Sequence, residues 1–537
     1  MHDRLIESLK DTSVYPHPVD RIELVETHIS WVLMAGEFVY KIKKPLDLGF
    51  LDFTALADRR FYCKEEIRLN RRTAPELYLG VVAITGSRDR PALNGGGDAL
   101  EYAVRMRRFD SRMGFDRLLA RGELTADQVA DLAGALADLH AVADVAAPDG
   151  ERGSFEEIAG PMRDNFDALD DAVDGESRRT LQRLRAWTEK RLAELEDSIR
   201  QRQRDGFVRE CHGDAHLGNV TLYRDRATLF DCIEFSAELR WIDVINDLAF
   251  TVMDLRHRGA PALSWVLLDE YLARTGDFDG IRLLPLYAVY RALVRAKVQS
   301  FARDQADDRD ARKRLDEEVR GYIALAGELA GERRPAVVVT TGLSGSGKSW
   351  LAERLVPRAG LIRVRSDIER KRLHGLAPDA RSDSALNTDL YSAEATERTY
   401  ARLVEAAAAI CDAGMPALLD AAFLKRWQRD RLRGFADARG LAFRILHCRA
   451  PQDTLAERIR AREQRGDDAS EAGVKVLQHQ LDAAEPPADD ERPFTIDVDT
   501  RAEDAVEGAI EALSGVVPIA DSATRVDSTQ TGDHAVD

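Results

Sequence analysis

Apolar and polar positions follow two patterns in the amino-terminal half of the chain. Helical spacing covers residues 125–145, 160–202, 260–275 and 284–330. Before these, apolar runs near 81–85 and 100–106 are typical of strands, and the glycine-rich segment 94–98 suits a hairpin turn between them. The pattern therefore predicts a lobe that contains strands, followed by a lobe rich in helices.

A different pattern begins at residue 336. An apolar, β-branched run covers 336–341, and helix-forming residues follow at 350–355. The eight residues between them satisfy G-x-x-x-x-G-K-[ST] at every fixed position. A strand, a glycine loop and a helix in this order predict a phosphate site, because the glycines let backbone N–H groups point inward at an anion. The predicted nucleotide-binding residues are Gly342, Leu343, Ser344, Gly345, Ser346, Gly347, Lys348 and Ser349. In this arrangement Lys348 reaches the β and γ phosphates of ATP and Ser349 holds Mg²⁺.

The length of the chain, 537 residues, exceeds what one hydrophobic core supports, so two or three domains are expected. A phosphate-binding loop follows the first strand of its domain, and a polar, glycine-bearing stretch that ends in Pro335 precedes that strand. We predict a first domain over 1–327, a linker over 328–335 and a second domain over 336–515. Residues 516–537 are rich in Ser, Thr and Asp, which predicts a disordered tail.

The net charge and the spacing of the cysteines argue against several classes of function. The net charge of −17 repels phosphates except at local basic clefts, which argues against a dedicated binder of nucleic acid or of anionic membranes. The five cysteines are scattered without a C-x-x-C pair, as suits a reducing cytoplasm. The amino terminus lacks the apolar segment of a signal peptide, and no apolar run approaches the length of a membrane span. We expect a cytoplasmic protein; the sequence leaves its oligomeric state open.

A second set of residues suited to phosphate chemistry lies in the first domain. His-Gly-Asp-Ala-His-Leu-Gly-Asn occupies 212–219, and Asp231 ends an apolar run twelve residues later. The order H-x-D-x-x-x-x-N and then Asp is that of the catalytic loop and the metal-binding aspartate of kinases. Asp214 is the predicted catalytic base for an acceptor hydroxyl, and Asn219 and Asp231 are predicted Mg²⁺ ligands. A zinc site on the two histidines is the alternative, but the glycines argue against a helix and no third ligand stands out.

At this loop the chain resembles the aminoglycoside phosphotransferase-like family, which has the protein-kinase-like fold. The resemblance covers residues 25–300 and includes a lysine-bearing strand at 38–45 and a glutamate-bearing helix at 63–70. It implies that Lys41 positions the nucleotide phosphates and that Glu66 is its ion-pair partner.

The assignments of Lys41 and Glu66 each have one alternative among neighbouring residues. Lys43 shares the strand face of Lys41, and Glu65 adjoins Glu66. A solvated basic edge over 41–44 is a further interpretation.

Two strand ends in the second domain carry acidic residues. A predicted strand from Ile362 ends in Ser366 and Asp367 and opens a basic helix, and Asp420 ends the apolar strand 417–420. The first pattern resembles that of P-loop kinases, which implies that Asp367 is a catalytic base and that Arg370 binds the acceptor. A helix N-cap is the alternative for Asp367. Asp420 resembles a Walker B aspartate and is a predicted Mg²⁺ ligand.

A stripe of arginines follows on one predicted helix face. Arg458, Arg462 and Arg465 are spaced to lie together, as in a kinase lid that closes over the transferred phosphoryl group. Arg458 and Arg462 are therefore predicted nucleotide ligands, with a solvated charged helix as the alternative. Residues 336–485 resemble P-loop kinases of the AAA group that are related to zeta toxins and polynucleotide kinases, and the shared features include the segment 467–472.

The expected fold is an α+β protein-kinase-like bilobal domain followed by an α/β P-loop NTPase domain with a mostly parallel sheet. The expected function is a bifunctional phosphotransferase that uses ATP and Mg²⁺ and phosphorylates hydroxyl groups of small molecules. One alternative is a nucleotide-gated regulatory protein with one degenerate module, but the presence of both Asp214 and Asp367 favours two enzymes. The other is a polynucleotide 5′-hydroxyl kinase in the second module, which the acidic charge disfavours.

Overall fold

The computed structural model describes residues 2–49, 51–148, 150–331, 334–378, 380, 392–465 and 474–517. The chain forms two compact units. The first comprises residues 1–124, 135–167 and 189–254. The second comprises residues 125–134, 168–188 and 255–537.

An antiparallel sheet forms the amino-terminal part of the first unit. Its strands are β1 (Ile22–Glu26), β2 (Ser30–Ala35), β3 (Phe38–Lys43), β4 (Tyr78–Ser87), β5 (Arg90–Leu93) and β6 (Glu101–Arg107), in the order β1-β2-β3-β6-β4-β5. On one face, apolar residues such as Leu33 and Tyr40 pack with Leu5 and Ile6 of helix α1 (His2–Ser8). Helix α2 (Leu56–Asn70) packs Cys63 against the opposite face.

The predicted hairpin differs in its connection. Strands β4 and β6 pair antiparallel as expected, but segment 94–98 joins β6 to β5, which pairs with the other edge of β4. The tight turn lies between β4 and β5. There Gly86 has a φ of 84°, and a Cβ atom would come within 2.5 Å of the carbonyl oxygen of Arg90.

Helices follow the predicted spacing. They are α3 (Phe115–Ala120), α4 (Ala126–Val142), α5 (Phe155–Asp170), α6 (Gly175–Arg204), α7 (Val244–His257), α8 (Pro261–Thr275), α9 (Leu284–Gln305) and α10 (Arg309–Leu329). Between α6 and α7, short strands β7 (Val208–Glu210), β8 (Val220–Tyr223), β9 (Arg226–Leu229) and β10 (Trp241–Asp243) form the antiparallel pairs β7–β10 and β8–β9. Among the described residues, no helix is both long and apolar enough to cross a bilayer.

A parallel sheet forms the core of the carboxy-terminal region. Its strands are β11 (Ala336–Thr341), β12 (Ile362–Arg365), β13 (Ala417–Asp420), β14 (Ala442–Arg449) and β15 (Thr495–Asp499), in the order β12-β13-β11-β14-β15. The helices are α11 (Lys348–Ala359), α12 (Ser366–Leu373), α13 (Ala393–Asp412), α14 (Arg426–Ala438), α15 (Gln452–Arg465), α16 (Val474–Ala483) and α17 (Ala505–Leu513). Parallel strands end at the same edge, so the loops after β11, β12 and β13 meet there. The two sheets confirm the predicted fold class.

Two predicted boundaries shift. Helix α10 extends to Leu329, which is buried, so the predicted linker at 328–335 begins inside a helix. Val516 and Val517, the first residues of the predicted tail, are buried in the core of the parallel sheet because they are apolar and directly follow α17. Residues 518–537 of that tail lie outside the described residues, as do 332 and 333 of the linker.

Helix α8 packs on the parallel-sheet region within the second unit. Arg363 of β12 donates from Nη2 to Oδ2 of Asp269 at 2.6 Å, and both side chains are nearly buried. Trp265 of α8 lies against Gly360, where a Cβ atom would come within 3.1 Å of the indole ring. Arg372 of α12 donates to a main-chain carbonyl of α8. These contacts explain why the last helices of the predicted first domain fall into the second unit instead.

We expect Asp269→Ala to lower the free energy of unfolding by about 3 kcal/mol, because it leaves a buried guanidinium without its carboxylate. The control is Glu270→Ala, which removes a partly exposed pair with Arg274 and should cost at most about 1 kcal/mol. Urea unfolding followed by circular dichroism measures both variants. Equal midpoints for the two variants would contradict the structural role of the Asp269–Arg363 pair.

Candidate active sites

A network of buried charges lies between β3 and α2. Nζ of Lys41 lies 3.0 Å from Oε1 of Glu66 and also contacts the Asp231 carboxylate. Nζ of Lys43 lies 2.8 Å from Oε2 of Glu66 and contacts Glu234. Burial by itself lowers the pKa of Lys41, but the carboxylates of Asp231, Glu66 and Glu234 outweigh it, and the pKa is raised well above its usual value. Both lysines therefore remain charged.

Exposure distinguishes the two lysines. The side chain of Lys41 is 12% exposed, whereas that of Lys43 is fully buried. An incoming phosphate group can therefore reach Lys41 but not Lys43 without rearrangement. Glu66 is buried and pairs with both lysines, while Glu65 pairs with Arg68 at the surface. This arrangement favours Lys41 and Glu66 over their two alternatives.

Asp231 is held in a strained backbone conformation. Its φ is 61°, in the left-handed region that non-glycine residues seldom adopt. The backbone N–H of Asp231 donates to the Tyr78 hydroxyl at 3.0 Å, and the next N–H, of Cys232, donates to Oδ1 of Asn70 at 2.9 Å. These bonds hold the strained turn, which turns the Asp231 carboxylate toward Lys41.

Asp247 of α7 anchors the predicted catalytic loop. Its carboxylate accepts the backbone N–H groups of His212 and Gly213, each at 2.9 Å, and lies 3.2 Å from Nε2 of His140. Burial alone raises the pKa of Asp247, but His140 and the His212 backbone outweigh it and lower the pKa to about 2. Gly213 has a φ of 84°, and a Cβ atom would come within 2.8 Å of the carbonyl oxygen of Leu239. The hydrogen bonds to Asp247 and the close approach at Gly213 therefore fix the backbone conformation of the loop.

Asp214 and Asn219 lie together in this loop. Nδ2 of Asn219 donates to Oδ2 of Asp214 at 2.8 Å and to its carbonyl oxygen at 3.0 Å. Nδ1 of His216 accepts the N–H of Gly218, so its Nε2 faces Oδ2 of Asp214 at 3.5 Å. The Asp214 side chain is 33% exposed and remains accessible to an acceptor. Among the described residues, the side chains close enough to share a metal ion are His140, Cys211 and Asp247, and neither His212 nor His216 belongs to this group.

The glycine loop of the second unit has the geometry of a phosphate site. Gly342, Gly345 and Gly347 have φ values of 146°, 80° and 85°, and a Cβ atom at any of them would meet a neighbouring segment within 3.0 Å. Nζ of Lys348 donates to the carbonyl oxygens of Gly342 and Leu343, each at 2.9 Å. Burial lowers the pKa of Lys348, and Cys448 and the carboxylates of Asp420 and Asp367 offset this only in part.

A cavity of about 820 Å³ lies at the carboxyl edge of the parallel sheet. Among the predicted residues it is lined by Ser344, Gly345, Gly347, Lys348, Ser349, Asp367, Arg370, Asp420, Arg458 and Arg462. Ser346 is buried within the loop. Asp420 lies opposite Arg365 at the ends of neighbouring strands. The N-cap of α12 is Arg365, and Asp367 lies in the first turn, so the structure does not favour the N-cap alternative for Asp367.

The arginine stripe divides into two environments. Arg458 donates to Oγ1 of Thr500 at 2.8 Å and approaches the carbonyl oxygen of Gly345 at 3.4 Å, so it braces the glycine loop. Arg462 lines the same cavity. The segment 467–472 lies outside the described residues.

Sequence reasoning missed three residues. Asp247, which holds the 212–219 loop, was assigned no role from the sequence. Glu234 follows Asp231 by three positions, which is the signal that could have identified it as the second partner of Lys43. Thr500 touches the glycine loop from a segment distant in sequence and carries no local signal.

Comparisons with known proteins give two family matches in separate segments of the chain. The model of a phosphotransferase enzyme family matches residues 115–292, and that of an AAA domain family matches residues 337–487. Uncharacterized proteins of Mycobacterium tuberculosis and Mycobacterium bovis are 27% identical over 461 residues, which are 84% of this chain and 89% of each relative.

Solved structures align with either part. The GDP and kanamycin complex of APH(2")-IIia is 15% identical and covers 60% of this chain and 99% of that one, with a TM-score of 0.39. A gluconokinase from Sinorhizobium meliloti is 23% identical and covers 34% of this chain and 94% of that one, with a TM-score of 0.26. The two family matches confirm both predicted resemblances. The chain is an ATP-dependent kinase in which an aminoglycoside phosphotransferase-like domain precedes a P-loop domain of the AAA group.

Proposed function

We propose that both modules are enzymes and that each transfers the γ-phosphoryl group of ATP to a hydroxyl group of a small molecule. The observation that carries this proposal is the completeness of two separate sets of side chains. Lys41, Asp214 and Asp231 form one set, and Lys348 and Asp367 belong to the other. A cavity of about 820 Å³ is of the size that proteins use for a nucleotide or a small ligand, which favours a small acceptor in the second module.

In the first module, the side chains divide the work of phosphoryl transfer. Lys41 lies beside Asp231, where a phosphate oxygen would replace part of the lysine's contact with the carboxylate. Asp214 accepts the proton of the acceptor hydroxyl while the hydroxyl oxygen bonds to the γ-phosphorus and ADP leaves. Asn219 fixes the orientation of the Asp214 carboxylate through its amide N–H.

The residues of both modules fit magnesium ions. In the first module three carboxylates, Asp231, Glu66 and Glu234, surround two lysines, so the network has an excess negative charge. Asp231 and Asn219 would supply the oxygen ligands that Mg²⁺ prefers, and Ser349 and Asp420 would do so in the second module. A bound Mg²⁺ neutralises charge on the phosphate groups during transfer.

In the second module, backbone and side chains combine. The N–H groups of the glycine loop bind phosphate oxygens, and Lys348 adds a positive charge. Asp367 lies in the same cavity as Lys348 and accepts the proton of the acceptor hydroxyl. Arg370 binds the acceptor, and Arg462 contacts the transferred phosphoryl group.

We expect two nucleotide sites per chain. Calorimetric titration of the full chain with a non-hydrolysable ATP analogue and Mg²⁺ should give a stoichiometry near two, falling to near one in Lys348→Ala. A stoichiometry near one in folded wild-type protein would contradict two functional modules and favour a chain with one degenerate site.

In the first module, Asp214→Asn should lower turnover by about 10²-fold or more and leave nucleotide affinity within about twofold, because this carboxylate contacts the acceptor. Asp231→Ala should instead weaken Mg²⁺-nucleotide binding. Transfer from γ-labelled ATP to a panel of aminoglycosides and other hydroxylated metabolites measures turnover. The control is Asp197→Asn, an exposed position on α6. Normal turnover in Asp214→Asn would rule out its role as base.

In the second module, Lys348→Ala should reduce both nucleotide affinity and turnover, whereas Asp367→Ala should abolish transfer and retain ATP binding. Asp437→Ala, exposed on α14, is the matched control. The acceptor panel includes 5′-hydroxyl oligonucleotides, so that preferential labelling of these would identify a polynucleotide kinase. Unchanged transfer in Asp367→Ala would move the search for the base to Asp420.

A further inference from the structure

Helix α16 contacts the glycine loop through one polar side chain. The backbone N–H of Ser344 donates to Oε1 of Gln480 at 2.8 Å. Ser344 is the third residue of the loop, and both residues line the cavity that also contains Lys348 and Ser349. The Gln480 carboxamide is therefore bound to the loop inside the nucleotide cavity.

An apolar contact reinforces this hydrogen bond. Leu343, next to Ser344, packs against a cluster in which Leu455 and Ile459 come from α15 and Leu477 comes from α16. Leu481 of α16 packs on the same cluster. Leu477 and Leu481 are one helical turn apart, so they lie on the same face of α16. This face packs against Leu343 of the loop, and Gln480 lies next to Leu481.

The Ser344 N–H belongs to the glycine loop, and backbone N–H groups of such loops are the donors offered to phosphate groups. A donor of this kind bonds well to one acceptor at a time. A phosphate oxygen carries negative charge, and bonds to charged acceptors are stronger than bonds to a neutral carboxamide. An entering phosphate group therefore competes with Gln480 for the Ser344 N–H and forms the stronger hydrogen bond.

We propose that Gln480 is a nucleotide-sensitive latch: it occupies the Ser344 donor while the loop holds no nucleotide, and a bound phosphate group displaces it and releases α16. The proposal rests on the proposed nucleotide site of the second module. Gln480 acts here as a positioning residue, because it sets the position of α16 and the availability of one loop N–H without contacting the reacting atoms.

Two substitutions at this position have opposite expected effects. Gln480→Ala frees the donor and should tighten nucleotide binding about fivefold, the order expected for one net hydrogen bond. Gln480→Glu places a carboxylate on the same donor and beside the phosphate groups, and should weaken binding about tenfold or more. A merely structural role would weaken binding in both variants, so the difference in sign is diagnostic.

The measurement is calorimetric titration of the full chain with ADP and with a non-hydrolysable ATP analogue. The second site is identified as the component that Lys348→Ala removes. Gln478→Ala and Gln478→Glu are matched controls, since Gln478 is exposed on the same helix, and they should change affinity less than twofold. The affinity of the first site in each variant serves as the check on folding.

Hydrogen exchange of residues 474–483 gives a second measurement. In the wild type, exchange should rise when nucleotide binds; in Gln480→Ala it should already be raised without nucleotide. Unchanged affinity in both Gln480 variants, or weaker binding in Gln480→Ala, would overturn the latch while leaving the nucleotide site intact. Absence of any Lys348-dependent binding in the wild type would overturn the proposed site itself, and the latch with it.

Discussion

A buried charge is stable only beside an opposite charge, and this constraint organises the amino-terminal site. The Lys43 ammonium is fully buried, and Glu66 and Glu234 pair with it. Because Glu66 also pairs with Lys41, strand β3, helix α2 and the segment after β9 are held in one relative position. Lys41 cannot move away without separating its charge from the carboxylate of Glu66, which is fully buried. Rigid placement of Lys41 beside Asp231 follows from this pairing.

The two candidate phosphate sites are built by different physical means. The first places charged side chains from distant segments at one point and fixes them through pairs and buried hydrogen bonds, as Asp247 does for the catalytic loop. The second uses backbone N–H groups of one short segment, whose glycines adopt conformations closed to other residues. The first candidate site forms only through tertiary assembly, whereas most of the second lies within eight consecutive residues.

Helix α8 precedes the predicted linker in sequence but packs on the parallel-sheet region within the second unit. Arg363 of β12 pairs with Asp269 of α8, and the same strand leads into the turn that bears Asp367. The strand that positions the candidate base is therefore supported by a helix from the other side of the linker. The second unit contains residues 125–134 and 168–188 as well as those from 255 onward, because packing and ion pairing, not chain order, decide which residues form one body.

The sequence by itself determined the features that depend on neighbouring residues. The glycine loop, the segment 212–219 and the alternation that places Lys41 and Lys43 on one strand face are local, so their spacing predicted them. Several strands and helices, such as β6, β11 and α4, were predicted for the same reason, since side-chain periodicity records which face is buried.

The tertiary structure decided the choices that depend on distant segments. The difference in burial favours Lys41 over Lys43 as the residue that a phosphate group can reach. The ion pairs favour Glu66 over Glu65 as the partner of Lys41. The same holds for the contact of Gln480 with Ser344, which joins residues 136 positions apart. Which charge is desolvated, and which partner meets it, depends on how segments pack in three dimensions, and a linear pattern does not contain that information.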